Sequence, residues 1–383
     1  MDKPTVQDIF HRFYPAYLDQ YSPSPVQAKV AHNIMNCKTG AYGANVCVCE
    51  DCGFVQIHYN SFRNRCCPMC QAVPKEMWMD ARREDVLDAP YFHLVFTVPD
   101  ILNPVIYSNQ RLLYDALYHA ASSTISELTA DPKHLGTKVG YICILHTWGS
   151  EMNFHPHIHT ILLGGGLASN NQWKDNGENF FLPIRVISKV FRGKYLEELK
   201  RLWEEDKLVF HGTAEKFRNH YTFKELLDSC YGMDWIPHCK KTFNGAQTVM
   251  KYLGKYTHRI AVSNHRIVRM DDDTVTFLVK DYRNEGQWKE LTISGVEFVR
   301  RFLMHVPPRR FVRIRHYGLL CFRTKNQKLT LCRNLLGCKK YLSKLRDMEM
   351  PEILEHLYGI KVCVCKACGG HLGKPQMRMP LRC

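Results

Sequence analysis

The sequence predicts an α+β fold, a sheet domain flanked by small metal-held modules, and three observations carry that prediction. Long segments with apolar residues at helical spacing alternate with short β-rich runs. Cysteines gather at the two ends, seven in the first 70 residues and four in the last 21. The chain's 383 residues suffice for two to three domains of about 150 residues and at least one well-buried core.

The elements follow in order. The stretch VQDIFHRFYPAYL is a short amphipathic helix, closed by the turn YSPSP, and the segment from there to Cys70 has scarcely any helical period. A helix is predicted over Val73–Asp88, then a core strand in FHLVFTVP, a helix over 104–130, a buried strand in KVGYICILHTW, the loop GSEMNFHP and a further strand, HIHTILLGG. Helices follow over Ser188–Trp203 and roughly Gly245–Ile260, then short strands around DDDTVTFLVKDYRNEGQWKELTISG, a helix, and the basic run PPRRFVRIRHYG. Domains are placed at 1–78 (zinc-binding), 79–270 (catalytic), 271–345 (strand-rich and basic) and 346–383 (a cysteine-rich tail).

Composition narrows the partners. The formal charge is +15, from 52 Lys plus Arg against 37 Asp plus Glu, and nucleic acid is the commonest partner of such a surplus. Solubility and anionic membrane surfaces are the other uses of a basic balance. No stretch approaches the ~20 apolar residues of a membrane span and no apolar run follows the N-terminal charges. The chain therefore reads as soluble and cytoplasmic, associated with the nucleoid through its charge.

The sharpest chemical signal is HPHIHTILLGGG. His157 and His159 stand at i and i+2 of a predicted strand, so both imidazoles share one face and can point at one ion, with Ile161 and Leu163 continuing that face. His155 joins them if Pro156 leaves the strand intact. A second signal is KYLGKYTHR, where Tyr252 and Tyr256 share one face of a predicted helix and Lys251, Lys255 and Arg259 form a cationic row suited to phosphate. Val249, Tyr252, Leu253, Tyr256 and Ile260 also describe an ordinary amphipathic packing face.

Cys49-x-x-Cys52 and Cys67-x-x-Cys70, fourteen residues apart, have the spacing of one four-cysteine structural zinc ribbon. Cys47 and Cys66 are alternates one or two positions away, and Arg63, Arg65 and Lys75 nearby suit a DNA contact. The tail CVCKACGGHLGKPQMRMPLRC offers Cys363, Cys365, Cys368, His371 and Cys383 to a second zinc, with one well-formed knuckle and the remaining ligands to be found in the tail or elsewhere. Cys143, Cys230, Cys239 and Cys321 read as isolated thiols. Arg309, Arg310, Arg313 and Arg315, interleaved with Phe311 and Tyr317, suit phosphate contact and base stacking, with a solvated charged strand as the alternative.

Together the histidine strand and the tyrosine helix resemble the HUH nucleases, named for His-hydrophobic-His, and among them the two-tyrosine rolling-circle transposases of insertion sequences. YNSFRNRCCPMCQ, FHLVFTVP, WGSEMNFHPHIHTILLGGG, YLGKYTHRIAVSNHRI and RIRHYGLL carry the resemblance, over about residues 10 to 370. It departs at Cys66, where the family usually has histidine, and at Phe62, where it has cysteine. The resemblance implies an antiparallel, ferredoxin- or RRM-like sheet with helices on one face. It also implies Mg²⁺ or Mn²⁺ at His157 and His159, single-stranded DNA at element ends and target as substrate, and attack by Tyr252 or Tyr256 to give a 5′-phosphotyrosine and a free 3′-hydroxyl. Tyr252 ranks slightly ahead of Tyr256, with Lys255 steadying a phosphate. A third metal ligand is sought among His155, Glu151 and Gln247. The phosphodiester energy is conserved in such chemistry, so no nucleotide cofactor is required; oligomeric state is not readable.

Three alternatives remain open on the sequence: a replication initiator or relaxase using the same residues, a non-enzymatic zinc-dependent DNA-binding protein, and a zinc hydrolase built on His155, His157 and His159. The chain has no Gly-x-x-x-x-Gly-Lys phosphate loop of an attached helicase and no His-Glu-x-x-His helix.

Overall fold

A computed structural model describes residues 3–175, 182–235, 238–243 (backbone only), 254, 260–281 and 285–378. The chain starts with two well-capped helices, α1 (Val6–Gln20) and α2 (Pro25–Met35). Thr5 caps α1 and Ser24 caps α2, each in a reciprocal box with the side chain three residues on, Asp8 and Gln27. Pro25 occupies the first turn of α2, where its missing N–H costs no hydrogen bond. Val6, Ile9, Phe10, Phe13, Tyr14 and Tyr17 form the buried stripe of α1.

A hairpin, β1 (Ala44–Val48) and β2 (Val55–Tyr59), leads to α3 (Ala72–Arg83), shorter than the predicted helix 73–88. The central sheet then forms from β3 (Tyr91–Thr97), β4 (Lys138–Trp148), β5 (Phe154–Leu167), the short β6 (Trp173–Asp175), β7 (His238–Phe243) and, from further along the chain, a strand at Ile314–Gly318. Counting β8 (Ile267–Met270), β9 (Thr274–Asp281) and β10 (Gln287–Ser294) of a separate meander, that last strand is β11. The sheet order is β11-β4-β5-β3-β7, every pair is antiparallel, and β6 extends the far end of β5.

The predicted helix over 104–130 is two helices, α4 (Asn103–Ser108) and α5 (Gln110–Ala130). Asn109 breaks them because its side chain is used elsewhere: Nδ2 donates to the Val209 carbonyl at 2.7 Å and Oδ1 accepts from the Val209 N–H at 2.8 Å. With α6 (Ile184–Glu204) and α7 (His220–Gly232), α5 covers one face of the sheet, burying Phe92, Leu94, Phe96, Tyr141, Cys143, Leu145, Ile158 and Leu162. The opposite face presents Tyr91, Ile142, Ile144, Ile161 and Leu163 to a smaller cluster that includes Leu319, Leu320 and Leu329, with Trp78 and Met79 of α3 packed against it. Both faces being covered, β5 is buried almost throughout.

Packing crosses the domain boundaries expected from the sequence. A core of its own joins α1 and α2 to residues 260–306, including the meander and α8 (Gly295–Met304), with Phe10 and Phe302 edge to face at 5.2 Å. At the other end, β12 (Gln376–Arg378) pairs with β1. Among the described residues no helix is long and apolar enough to cross a membrane.

Phe302 is fully buried at the contact that holds α1 against α8. Phe302→Ala should cost about 3–5 kcal/mol, read as a lowered urea midpoint; a loss below about 1 kcal/mol would show that this interface contributes little.

Candidate metal centre and cysteine clusters

The antiparallel register of β4 with β5 sets His146 opposite His157, and that of β3 with β5 sets His93 opposite Ile161, two residue pairs along from Val95 and His159. By strand alternation these four imidazoles lie on one face of the sheet, the face away from α5 and α6. His146, His157 and His159 form a buried group whose ligand nitrogens all lie within 4.8 Å of one another. His157 Nε2 and His159 Nε2 are 3.0 Å apart.

The surrounding hydrogen bonds fix the rings. His157 Nδ1–H donates to the His155 carbonyl at 2.7 Å, which leaves the Nε2 lone pair of the neutral ring directed into the group. His159 Nδ1 is hydrogen-bonded to His93 Nε2 at 2.9 Å, so its own Nε2 also faces inward. Trp148 stacks on His146, with ring centroids 4.5 Å apart. Burial pushes the His157 imidazole down to about 3 and holds His159 well below its ordinary value, so both rings are neutral at pH 7. Neutral imidazole is the ligand form. Two nitrogens bound at about 2.1 Å and at right angles stand about 3 Å apart, so the spacing fits a divalent ion. Among the described residues no carboxylate belongs to the group.

His146 is the candidate ligand that sequence reasoning missed. Its signal was available: an antiparallel hairpin across Gly149–Asn153 brings the end of KVGYICILHTW beside the HIH motif. Two of the three candidates for that role stand elsewhere. His155 is half-buried with Nδ1 3.3 Å from Asp100 Oδ1, and Glu151 sits in the exposed turn with its carbonyl accepting from Arg301 at 2.9 Å. Gln247 lies outside the described residues, as do Tyr252, Tyr256, Lys251, Lys255 and Arg259. Gly254, between the tyrosines, is described: it is helical and buried, and a Cβ there would run into Met79 Sδ and the Lys75 side chain. The glycine thus marks a close approach to α3, on the histidine side of the sheet.

The cysteines group differently from the expected single ribbon. Cys67 and Cys70 come together with Cys37, from the end of α2, whereas Cys49 and Cys52 come together with Cys365 and Cys368. The reason is the hairpin. Its turn holds the first knuckle at one end, while the second knuckle lies beyond the other end, where the chain enters α3 beside α2. In the three-cysteine group Cys37 Sγ and Cys70 Sγ are 3.0 Å apart. The hydrogen bond from Cys67 draws the Cys70 thiol down to about 5, and burial pushes Cys37 up to about 11. These are donor sets for zinc: four sulfurs in one case and, among the described residues, three in the other. Of the alternates, Cys66 is buried beside Arg313 and Cys47 packs in a small core with Leu372.

The basic run also divides. Arg309 and Arg310 are exposed. Arg313, expected to contact DNA, is instead buried, with its guanidinium over the Trp148 ring at 5.6 Å. Arg315 is ion-paired with Asp115 and lies over Tyr118 at 4.0 Å. Both are withdrawn from solvent because β11 joins the sheet beside β4.

A family model described as "Putative transposase" matches residues 140–328, and one described as "Transposase zinc-binding domain" matches residues 9–98. The "Putative transposase y4qJ" of Sinorhizobium fredii is 39% identical over 369 residues, 95% of this chain and 93% of that protein. The transposase for insertion sequence element IS801 of Pseudomonas savastanoi pv. phaseolicola is 30% identical over 309 residues, 79% of this chain and 72% of that protein. Two solved structures of the conjugative relaxase TrwC with OriT DNA align faintly. One is metal-free, at 16% identity and TM-score 0.23 over 45% of this chain and 68% of that chain. The other is copper-bound, at 12% and 0.27 over 67% and 96%. Likeness at that level carries no argument about this site.

His146→Ala should weaken Mn²⁺ binding at the histidine site by about 10–100-fold in calorimetric titration, whereas His155→Ala should leave it within about threefold. Loss in His155→Ala with binding unchanged in His146→Ala would mean that His155, not His146, is the third ligand.

Proposed function

The chain belongs to the two-tyrosine rolling-circle transposases of insertion sequences, and we propose from that premise that Tyr252 and Tyr256 cut and rejoin single-stranded DNA beside the His146–His157–His159 centre. The observation that carries this reading is the convergence of three buried imidazoles, two of them with Nε2 atoms 3.0 Å apart and both held neutral, on one sheet face. His146, His157 and His159 would hold a divalent ion, which when bound would polarise a phosphate oxygen and orient the scissile group for in-line attack. The all-nitrogen donor set favours Mn²⁺ over Mg²⁺, since Mg²⁺ prefers oxygen ligands.

The protein's own residues do the rest. His93 and the His155 carbonyl hold the rings of His159 and His157 in the orientation that turns their Nε2 atoms inward. One tyrosine oxygen forms a bond to phosphorus as the bond from phosphorus to the 3′ oxygen breaks; the phenol gives up its proton and the 3′ oxygen takes one. The products are a 5′-phosphotyrosine and a free 3′-hydroxyl. The second tyrosine repeats the exchange at another site while the first holds its strand, and reversal with a new 3′-hydroxyl completes transfer. Lys255 steadies the phosphate, and Lys251, Arg259, Arg309 and Arg310 grip the backbone. The zinc groups serve the fold.

The test is a covalent adduct. Incubated with Mn²⁺ and labelled single-stranded DNA from an element end, the wild type should carry label through a denaturing protein gel. Tyr252→Phe with Tyr256→Phe should abolish the band, each single variant should show which tyrosine leads, and His157→Ala or His146→Ala should reduce it by about 100-fold or more. A band that survives in the double tyrosine variant would sink the assignment.

Backbone binding carries a second expectation. Replacing both Arg309 and Arg310 by alanine should lower the slope of log affinity against log salt by about 1.4, about 0.7 for each single-strand phosphate that is no longer neutralised. An unchanged slope would remove them from the interface.

A further inference from the structure

The zinc-binding match ends at residue 98, yet two of the four sulfurs around Cys49 come from the far end of the chain. We propose that Cys49, Cys52, Cys365 and Cys368 bind one zinc ion that clasps the C-terminal segment onto the N-terminal hairpin and closes the chain on itself.

The two halves are built alike. Each is Cys-x-x-Cys-Gly, and each glycine has a left-handed backbone, Gly53 at φ 69° and Gly369 at φ 77°. The Gly53 N–H donates to the Cys49 carbonyl at 3.0 Å, and the Gly369 N–H donates to the Cys365 carbonyl at the same distance. The Cys49 N–H donates to Phe54 at 2.9 Å and the Cys365 N–H to Gly370 at 2.8 Å. The same turn is therefore formed twice, 316 positions apart (365 − 49), and the two copies face each other. Backbone N–H groups of Ala367 and Gly370 point at Cys365 Sγ and Cys368 Sγ at 3.4 Å, an arrangement that stabilises thiolate charge.

Sulfur geometry fits one tetrahedral ion. Cys49 Sγ is 3.5 Å from Cys368 Sγ and Cys52 Sγ is 3.7 Å from Cys365 Sγ, and all four lie within 4.8 Å. Bonds of about 2.3 Å at tetrahedral angles place sulfurs about 3.8 Å apart. The backbone brings the halves into register: β12 pairs with β1, Cys49 bridges Leu372, the Glu50 N–H donates to the His371 carbonyl at 3.2 Å, and the Gly373 N–H donates to Val48 at 2.9 Å. The apolar core here consists of Cys47, Cys49, Cys365 and Leu372. A core that small does not hold a three-stranded sheet by burial alone, so the metal is the principal restraint on this end of the chain.

Cys363, Cys383 and His371, the other candidates in the tail, are not needed. Cys363 and His371 are exposed, and His371 stands 3.7 Å from Glu50; Cys383 lies outside the described residues.

The proposal is tested on the full-length protein in two ways. Zinc content by mass spectrometry should fall by the same single ion per chain in Cys49→Ser/Cys52→Ser, in Cys365→Ser/Cys368→Ser and in the variant carrying all four changes. Full zinc content in the Cys365/Cys368 variant, or loss of two ions in the fourfold variant, would overturn it. Because such variants can misfold, the wild type is also alkylated natively. Cys49, Cys52, Cys365 and Cys368 should be protected together and become reactive together when a chelator is added. Free reaction of Cys365 and Cys368 while Cys49 and Cys52 stay protected would equally refute a shared ion.

Discussion

Antiparallel pairing of β4 with β5 decides where the three clustered histidines stand, because a slip of one residue would turn His157 and His159 to the opposite face. Two sets of apolar side chains hold the register. Ile158 and Leu162 are bound to the core under α5 and α6, and Ile161 to the cluster beneath α3. Burying both faces of β5 thus fixes the histidines as firmly as it fixes the sheet. The same burial keeps the imidazoles neutral, so packing and ligand chemistry have one cause.

Around that sheet the chain is arranged by long-range closure rather than by a row of consecutive domains. The N-terminal helices form their core with residues 260–306, and the C-terminal knuckle meets the N-terminal hairpin. Such contacts tie together segments far apart in the chain, outside a catalytic unit whose own core is local to residues 92–235 and Phe311. Metal ions suit this task at a small module, where coordination replaces the apolar area that a short segment lacks.

Charge behaves similarly. A surplus of +15 describes the whole surface, but the contribution of each arginine depends on its strand. Arg313, just before β11, is buried over Trp148 and Arg315, on β11, is paired with Asp115, while Arg309 and Arg310, in the preceding turn, remain exposed. Four arginines within seven positions therefore have two structural and two solvent-facing roles.

The sequence by itself determined what is local. β-rich apolar runs located β3, β4 and β5, helical spacing located α1, α3 and α6 within a few residues, and the His-x-His spacing placed two imidazoles on one face. Cysteine spacing identified the knuckles Cys49–Cys52, Cys67–Cys70 and Cys365–Cys368. Only the tertiary structure decided their partners: His146 for His157, Cys37 for Cys67 and Cys70, and Cys365 with Cys368 for Cys49 and Cys52. It also decided that Asn109 would interrupt a helix to bind the backbone of Val209. The physical reason is the same throughout: backbone periodicity fixes which side chains share a face within a segment, whereas the partner across the gap is set by sheet register and by the packing of segments far apart in the chain.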